Sequence, residues 1–178
     1  MLANLLLTGR PGVGKTTLVR GVLEELNDVL ATGFYTAEIR SGGRRLGFRV
    51  IALDGQEAVL AHVSIPSKCR VSRYGVDVAA FERVALPSLV PSPHTQLIVV
   101  DEIGKMECFS RSFREAVLRA LDVDTPVLAT VPLRGDSFIE GLKAREDVEL
   151  FEITPVSREH LVKELAARLR DELHGRQG

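Results

Sequence analysis

The chain is short of cysteine. It has 2 in 178 residues, Cys69 and Cys108, and neither belongs to a C-x-x-C motif. That excludes a disulfide framework and points to a reducing compartment. It also lacks a dominant charge: 23 Lys and Arg against 24 Asp and Glu leave a net charge of -1. Such a balance gives no global electrostatic case for nucleic acid or an anionic membrane. No stretch is long and apolar enough to cross a bilayer. The first residues lack the basic start and the cleavage site of a secretory signal, so a cytoplasmic protein is the expectation. His62, His94, His160 and His174 show no metal-ligand spacing. There is no N/T-K-x-D motif to read guanine, no internal repeat and no low-complexity tract.

What is present reads as one globular domain over residues 1–173 with a frayed tail at 174–178. The hydrophobic fraction of 45% and charged fraction of 26% fit that class. Strand and helix signals alternate, which argues for an α/β layer fold with a mostly parallel central sheet. Residues 2–7, 97–100 and 127–131 are short apolar runs that read as buried strands, and 148–153 alternates. Residues 33–40 and 45–53 read as an antiparallel hairpin turning at Ser41-Gly42-Gly43-Arg44, with a short strand at 57–63 after it. Residues 64–76, with Pro66 and several basic residues, read as loop. Helices are expected at 17–26, at 77–86 capped by Asp77 and ended or kinked by Pro87, and at 112–121 from a capping box at Ser112–Glu115. A short helix at 138–145 and an amphipathic one at 157–173 complete the reading.

The segment Gly9-Arg10-Pro11-Gly12-Val13-Gly14-Lys15-Thr16 is a full match to G-x-x-x-x-G-K-[ST], placed between an apolar strand and a helix. Glycines at 9, 12 and 14 let backbone N–H groups curl around a phosphate chain, and the helix start adds its positive dipole end. Lys15 then reaches the β- and γ-phosphates, and the Thr16 hydroxyl is a ligand for Mg²⁺. The run 97–100 ends in Asp101-Glu102, an apolar strand that delivers acids to the edge of a sheet where ligands bind. Asp101 is the candidate Mg²⁺ holder. Glu102 suits a general base that activates water, which tilts the reading from kinase toward hydrolase. Thr130, at the end of its strand, is a candidate γ-phosphate sensor.

The segment Gly9–Thr17 resembles the loop of a small nucleoside-triphosphatase family. That family is known from thermophilic prokaryotes and has a vertebrate relative called cancer-related nucleoside-triphosphatase. Gly33–Arg40 with Gly43–Phe48, Tyr74-Gly75-Val76-Asp77 with Phe81-Glu82, and Val100-Asp101-Glu102-Ile103-Gly104-Lys105-Met106-Glu107 are similar to it in the same order. Cys108 stands where the family often has leucine. The resemblance implies a phosphate-loop (P-loop) fold of the RecA-like kind and slow, Mg²⁺-dependent hydrolysis of nucleoside triphosphates with broad base tolerance. It implies nucleotide contacts from Gly9, Arg10, Pro11, Gly12, Val13, Gly14, Lys15, Thr16 and Thr17, and from Leu97, Ile98, Val99, Val100, Asp101, Glu102, Ile103 and Gly104.

Several residues stay open between roles. Arg40, Arg44, Arg45 and Arg134 are candidates for an arginine acting on the γ-phosphate, against a solvated reading for each. Phe34, Thr36, Glu38 and Arg40 share one strand face. Lys105 and Glu107 either position Glu102, contact product phosphate or form a surface ion pair, and Lys105 is an alternative partner for Glu102. Tyr35 either stacks on a base or packs in the core. The partners expected are nucleoside triphosphates, with no membrane and no nucleic acid; any protein partner is open. A nucleotide kinase with residues 64–76 as a lid, and a partner-activated nucleotide switch, are the competing functions.

Overall fold

The computed structural model describes residues 4–174. Among them the strands are β1 (Asn4–Thr8), β2 (Ala31–Ser41), β3 (Arg44–Ala52), β4 (Glu57–His62), β5 (Arg70–Val71), β6 (Tyr74–Val76), β7 (Leu97–Val100), β8 (Val127–Thr130) and β9 (Val148–Glu152). The helices are α1 (Lys15–Glu25), α2 (Val78–Ser88), α3 (Arg111–Asp122), α4 (Ser137–Lys143) and α5 (Arg158–His174), with a 3₁₀ turn at Glu107–Phe109. All the strands join one sheet in the order β5-β6-β4-β3-β2-β7-β8-β1-β9.

The apolar runs are buried on both faces, which is why they read as continuous rather than alternating. Leu5, Leu7, Leu97, Val99 and Leu128 point to one face and pack with Leu18 and Val22 of α1 and with Leu161, Leu165 and Leu169 of α5. Leu6, Ile98, Val100 and Ala129 point to the other and pack with α2, α3 and α4. The result is three layers. Each such side chain fully buried contributes about 1.5–3 kcal/mol. On the second face Phe34, Phe81 and Phe113 meet edge-on or tilted, with ring centroids 5.0–5.9 Å apart. They lock α2 and α3 onto β2.

Strands β2, β7, β8, β1 and β9 pair in parallel. From β2 outward, β3, β4, β6 and β5 pair antiparallel. The antiparallel part is therefore larger than the expected hairpin, and the sheet is mixed. The expected turn is found, with Gly42 and Gly43 both at positive φ (54° and 76°). The expected loop at 64–76 holds for residues 64–69 and is corrected for 70–76. Residues 70–76 fold back as the hairpin β5–β6, turning at Ser72 (φ 52°), and β6 covers the free edge of β4. Tyr74 and Val76 supply the buried side chains that make this worthwhile.

Helix starts show two outcomes. Asp77 caps α2 as expected, accepting from the Ala80 N–H at 2.8 Å. The capping box at Ser112 is corrected: Ser110 is the cap, accepting from the Phe113 N–H at 2.9 Å. Glu115 instead pairs with Arg111 one turn earlier, 3.0 Å away. Pro87 lies in the last turn of α2, which ends one residue later. Helix α5 continues through His174, the first residue of the expected tail; residues 175–178, like Leu2 and Ala3 of the first expected strand, lie outside the described residues. No helix among the described residues is long and apolar enough to cross a membrane.

Candidate active site

The loop after β1 and the ends of β7 and β8 meet at the carboxyl edge of the parallel strands. In the loop, the Val13 N–H donates to the Arg10 carbonyl at 3.1 Å. Gly12 and Gly14 take positive φ, 78° and 99°, and Gly14 is the N-cap of α1. No side chain caps this helix, and its first bond is from the Leu18 N–H to the Gly14 carbonyl. The N–H groups of Lys15, Thr16 and Thr17 therefore have no helix carbonyl to bond. Gly9, Pro11, Gly12, Gly14, Lys15, Thr16 and Thr17 line a cleft of about 930 Å³. Open N–H groups at a helix start form an anion site. Arg158, first residue of α5, supports the loop from behind: a Cβ on Gly14 would lie 2.8 Å from its Nη1.

Strand β7 delivers Asp101, which is 1% exposed. The Thr130 hydroxyl donates to Asp101 Oδ1 at 2.5 Å. Oδ2 is buried and has no hydrogen-bond partner. Burial pushes the Asp101 carboxyl up from 3.8 to about 6; the Thr130 and Thr16 hydroxyls pull it down, and the Glu102 charge pushes it up. The Asp101–Glu102 peptide is cis. Glu102 Oε2 lies 3.4 Å from Lys15 Nζ, and that ammonium also donates to the Gly9 carbonyl at 3.2 Å. The partner of Glu102 is thus Lys15, not Lys105. Glu107 is buried and lines the same cleft, so it forms no surface ion pair. Burial, then the charges of Glu102 and Asp101, hold its carboxyl well above the usual range. Glu102 and Glu107 press on Gly104 from two sides: a Cβ there would lie 2.6 Å from Glu102 Oε1 and 2.8 Å from Glu107 Oε2.

An unpaired buried carboxylate oxygen beside a threonine hydroxyl is a hard oxygen donor set, the kind a small divalent cation prefers. It is also costly to the cation-free fold. Asp101 binds its proton more tightly folded than unfolded, so stability falls as pH rises through the window from 3.8 to about 6. The rise corresponds to on the order of 3 kcal/mol above that window. Asp101→Asn keeps an acceptor for Thr130 and removes the charge. In chelator at neutral pH the variant is expected to melt above the wild type, with the difference vanishing near about pH 4. A lower melting temperature at neutral pH would refute this account of Asp101.

The far wall of the cleft comes from the antiparallel arm: Thr36, Glu38, Arg45, Phe48, Arg73 and Tyr74. Of the four candidate arginines, Arg45 alone lines the cleft. Arg40 is held by Glu38 at 2.6 Å and by the Gly43 carbonyl at 3.1 Å. Arg44 and Arg134 are exposed outside it. Leu97, Ile98, Val99, Val100 and Ile103 do not line the cleft either. All are fully buried: the four residues of β7 because a strand between two layers of helices turns its side chains into both cores, and Ile103, just after it, in the core under α2 and α3. They carry Asp101 and Glu102 to the cleft rather than touch its contents. Arg10 is exposed, and Val13 packs toward the α1–α5 core. Tyr35 is half-buried under the Arg20 guanidinium, 5.4 Å from its ring centre, and does not line the cleft.

Four contributors were missed: Arg20, Arg73, Tyr74 and Arg158. Arg20 had a signal, since it lies four residues after Thr16 and so on the same helix face. Arg73 and Tyr74 were hidden in the stretch read as loop. Nothing in the sequence marks Arg158, which reaches the glycine loop only through packing of α5.

Comparison with known proteins gives one consistent result. The sequence profile of the NTPase family matches residues 4–166. The chain is 44% identical over 168 residues to the nucleoside-triphosphatase THEP1 of Thermotoga maritima, covering 94% of this chain and 95% of that one. It is 41% identical over 181 residues to the human cancer-related nucleoside-triphosphatase, covering 93% and 95%. The fold is similar to the crystal structure of THEP1 from the hyperthermophile Aquifex aeolicus, with a TM-score of 0.85, 36% identity, and 93% and 98% coverage.

Proposed function

The chain belongs to the NTPase family, and from that premise we propose that its cleft hydrolyses nucleoside 5′-triphosphates to diphosphate and phosphate with Mg²⁺. The fold is read as RecA-like, with β8 placed between the strand of the glycine loop, β1, and the strand of the acids, β7. Residues 1–173 act as one domain. The reaction is slow and indifferent to the base, so ATP, GTP, CTP and UTP all serve.

The geometry supports the following steps. Gly9–Thr16 and the open N–H groups of the first turn of α1 wrap the β- and γ-phosphates. Lys15 turns from Glu102 and the Gly9 carbonyl to the phosphates, because a polyanion competes better for an ammonium than one carboxylate and one carbonyl. Thr16 and Asp101 would hold Mg²⁺, Asp101 through the unpaired Oδ2. An ion held there would supply positive charge against the phosphate oxygens. Glu102, released by Lys15, orients a water and takes its proton. The water oxygen bonds to the γ-phosphorus, the bond to the bridging oxygen breaks, and the diphosphate leaves with the electron pair.

The observation that carries this reading is the buried Asp101 with one free oxygen, beside Thr16 at the foot of an uncapped helix. The test is phosphate release from the four triphosphates with Mg²⁺ and with chelator. Release from all four with Mg²⁺, and none with chelator, is expected. Release that ignores the chelator would remove the metal from the mechanism. Label passing to an added nucleoside or monophosphate would make the protein a kinase.

A further inference from the structure

The cleft has two charged walls that do not touch. On one side stand Glu102 and Glu107, and on the other Arg45 and Arg73, with no ion pair between them among the described residues. The basic wall is built with care. Arg45 Nε donates to the Tyr74 hydroxyl at 3.0 Å, and Nη1 to Glu38 Oε1 at 3.0 Å. The guanidinium lies over the Phe48 ring, 5.1 Å from its centre. Arg73 backs it, with Nη2 donating to the Arg45 carbonyl at 2.6 Å and to the Tyr74 hydroxyl at 3.3 Å. Arg45 Nη2 has no hydrogen-bond partner among the described residues. One carboxylate, Glu38, pairs with two guanidiniums, Arg40 and Arg45, and Arg73 stands beside them without a carboxylate of its own among the described residues, so the wall keeps excess positive charge facing the cleft.

Strand geometry sets its distance from the acids. Thr36 lies beside Asp101, and its backbone favours the ionised carboxyl. Glu38 follows on the same strand face, about 7 Å farther along. Arg45, anchored on Glu38, thus stands about one pleat repeat from the acid end of the cleft. The glycine loop, Glu102 and Arg45 line one cleft, so a triphosphate held by the loop would extend its terminal phosphate between the two walls.

We infer that Arg45 is the chain's own arginine for hydrolysis, its guanidinium contacting the γ-phosphate oxygens as charge builds on them, with Tyr74, Glu38 and Arg73 as positioning residues. The inference rests on the triphosphatase reading above. It removes the need for an arginine from a partner.

The experiment compares wild type, Arg45→Ala, Arg45→Lys and Tyr74→Phe. Each is assayed for single-turnover phosphate release, for affinity for ADP and a non-hydrolysable triphosphate, and for response to added guanidinium. Arg45→Ala is expected to slow release at least about tenfold while ADP affinity stays within about twofold and triphosphate affinity falls. Added guanidinium restores part of the rate in Arg45→Ala and none in Arg45→Lys. Tyr74→Phe removes one oxygen, keeps the ring in the core, and lowers the rate by less. Unchanged release in a folded Arg45→Ala overturns the inference. So do equal losses of ADP and triphosphate affinity, or wild-type turnover that rises with enzyme concentration, since a neighbour then supplies the arginine. A wild type that binds triphosphate and releases no phosphate overturns the hydrolase reading instead; a triphosphate-specific loss of affinity in Arg45→Ala still bears out the contact.

Discussion

Glu102→Gln is expected to bind nucleoside triphosphates as well as the wild type and to hydrolyse them about 10²-fold or more slowly, the scale of a lost general base. The substitution is close to isosteric. The Gln side-chain oxygen still accepts from Lys15, now 3.4 Å from the carboxylate, so the loop has no reason to move. What disappears is a group that can take a proton from water and a negative charge facing the incoming γ-phosphate. Loss of that charge favours binding, so affinity is expected to hold or rise while kcat falls. Phosphate release and nucleotide affinity measured side by side decide it. Normal turnover would move the proton to another acid, and Glu107, which stands on the same wall as Glu102, is the first candidate. Loss of binding with turnover would make Glu102 a structural partner of Lys15.

The parts of the molecule that were legible in the sequence are those where local chemistry and fold agree. Buried parallel strands need continuous apolar runs, and residues 97–100 announce β7 to the residue. A glycine loop followed by a helix needs its glycines at fixed places, and Gly12 and Gly14 take the positive φ that such a loop demands. What could not be read depends on contacts between distant residues. The strands β5 and β6 are 2 and 3 residues long and exist because β4 has an edge to cover. Without them Arg73 and Tyr74 have no place. Ser112–Glu115 has the composition of a cap, but Ser110, two residues earlier, bonds both the Phe113 N–H and Glu82 of α2, and tertiary contact wins. The role of Glu107 stays open in the sequence because its burial depends on tertiary packing and not on its neighbours in the chain.

Lys15→Ala is expected to weaken triphosphate binding and hydrolysis together, with the combined loss in kcat/KM exceeding about 10³-fold, since removing a buried charge-assisted contact costs several kcal/mol. The magnitude follows from where Lys15 sits. Its side chain is 10% exposed, and the ammonium is bonded to the Gly9 carbonyl and Glu102. It reaches a phosphate through a medium less screening than water, where a charge pair is worth more. Removing it also leaves Glu102 without its cation beside Asp101 and Glu107, so negative charge accumulates where a polyanion must bind. The double variant Lys15→Ala with Glu102→Gln separates the two effects. If part of the loss comes from uncompensated Glu102, the double variant is expected to bind triphosphate more tightly than Lys15→Ala alone. Equal binding by the two would place the whole loss in the direct contact between Lys15 and phosphate. Hydrolysis stays low in both variants, because both lack the Lys15 ammonium and the double variant also lacks the base.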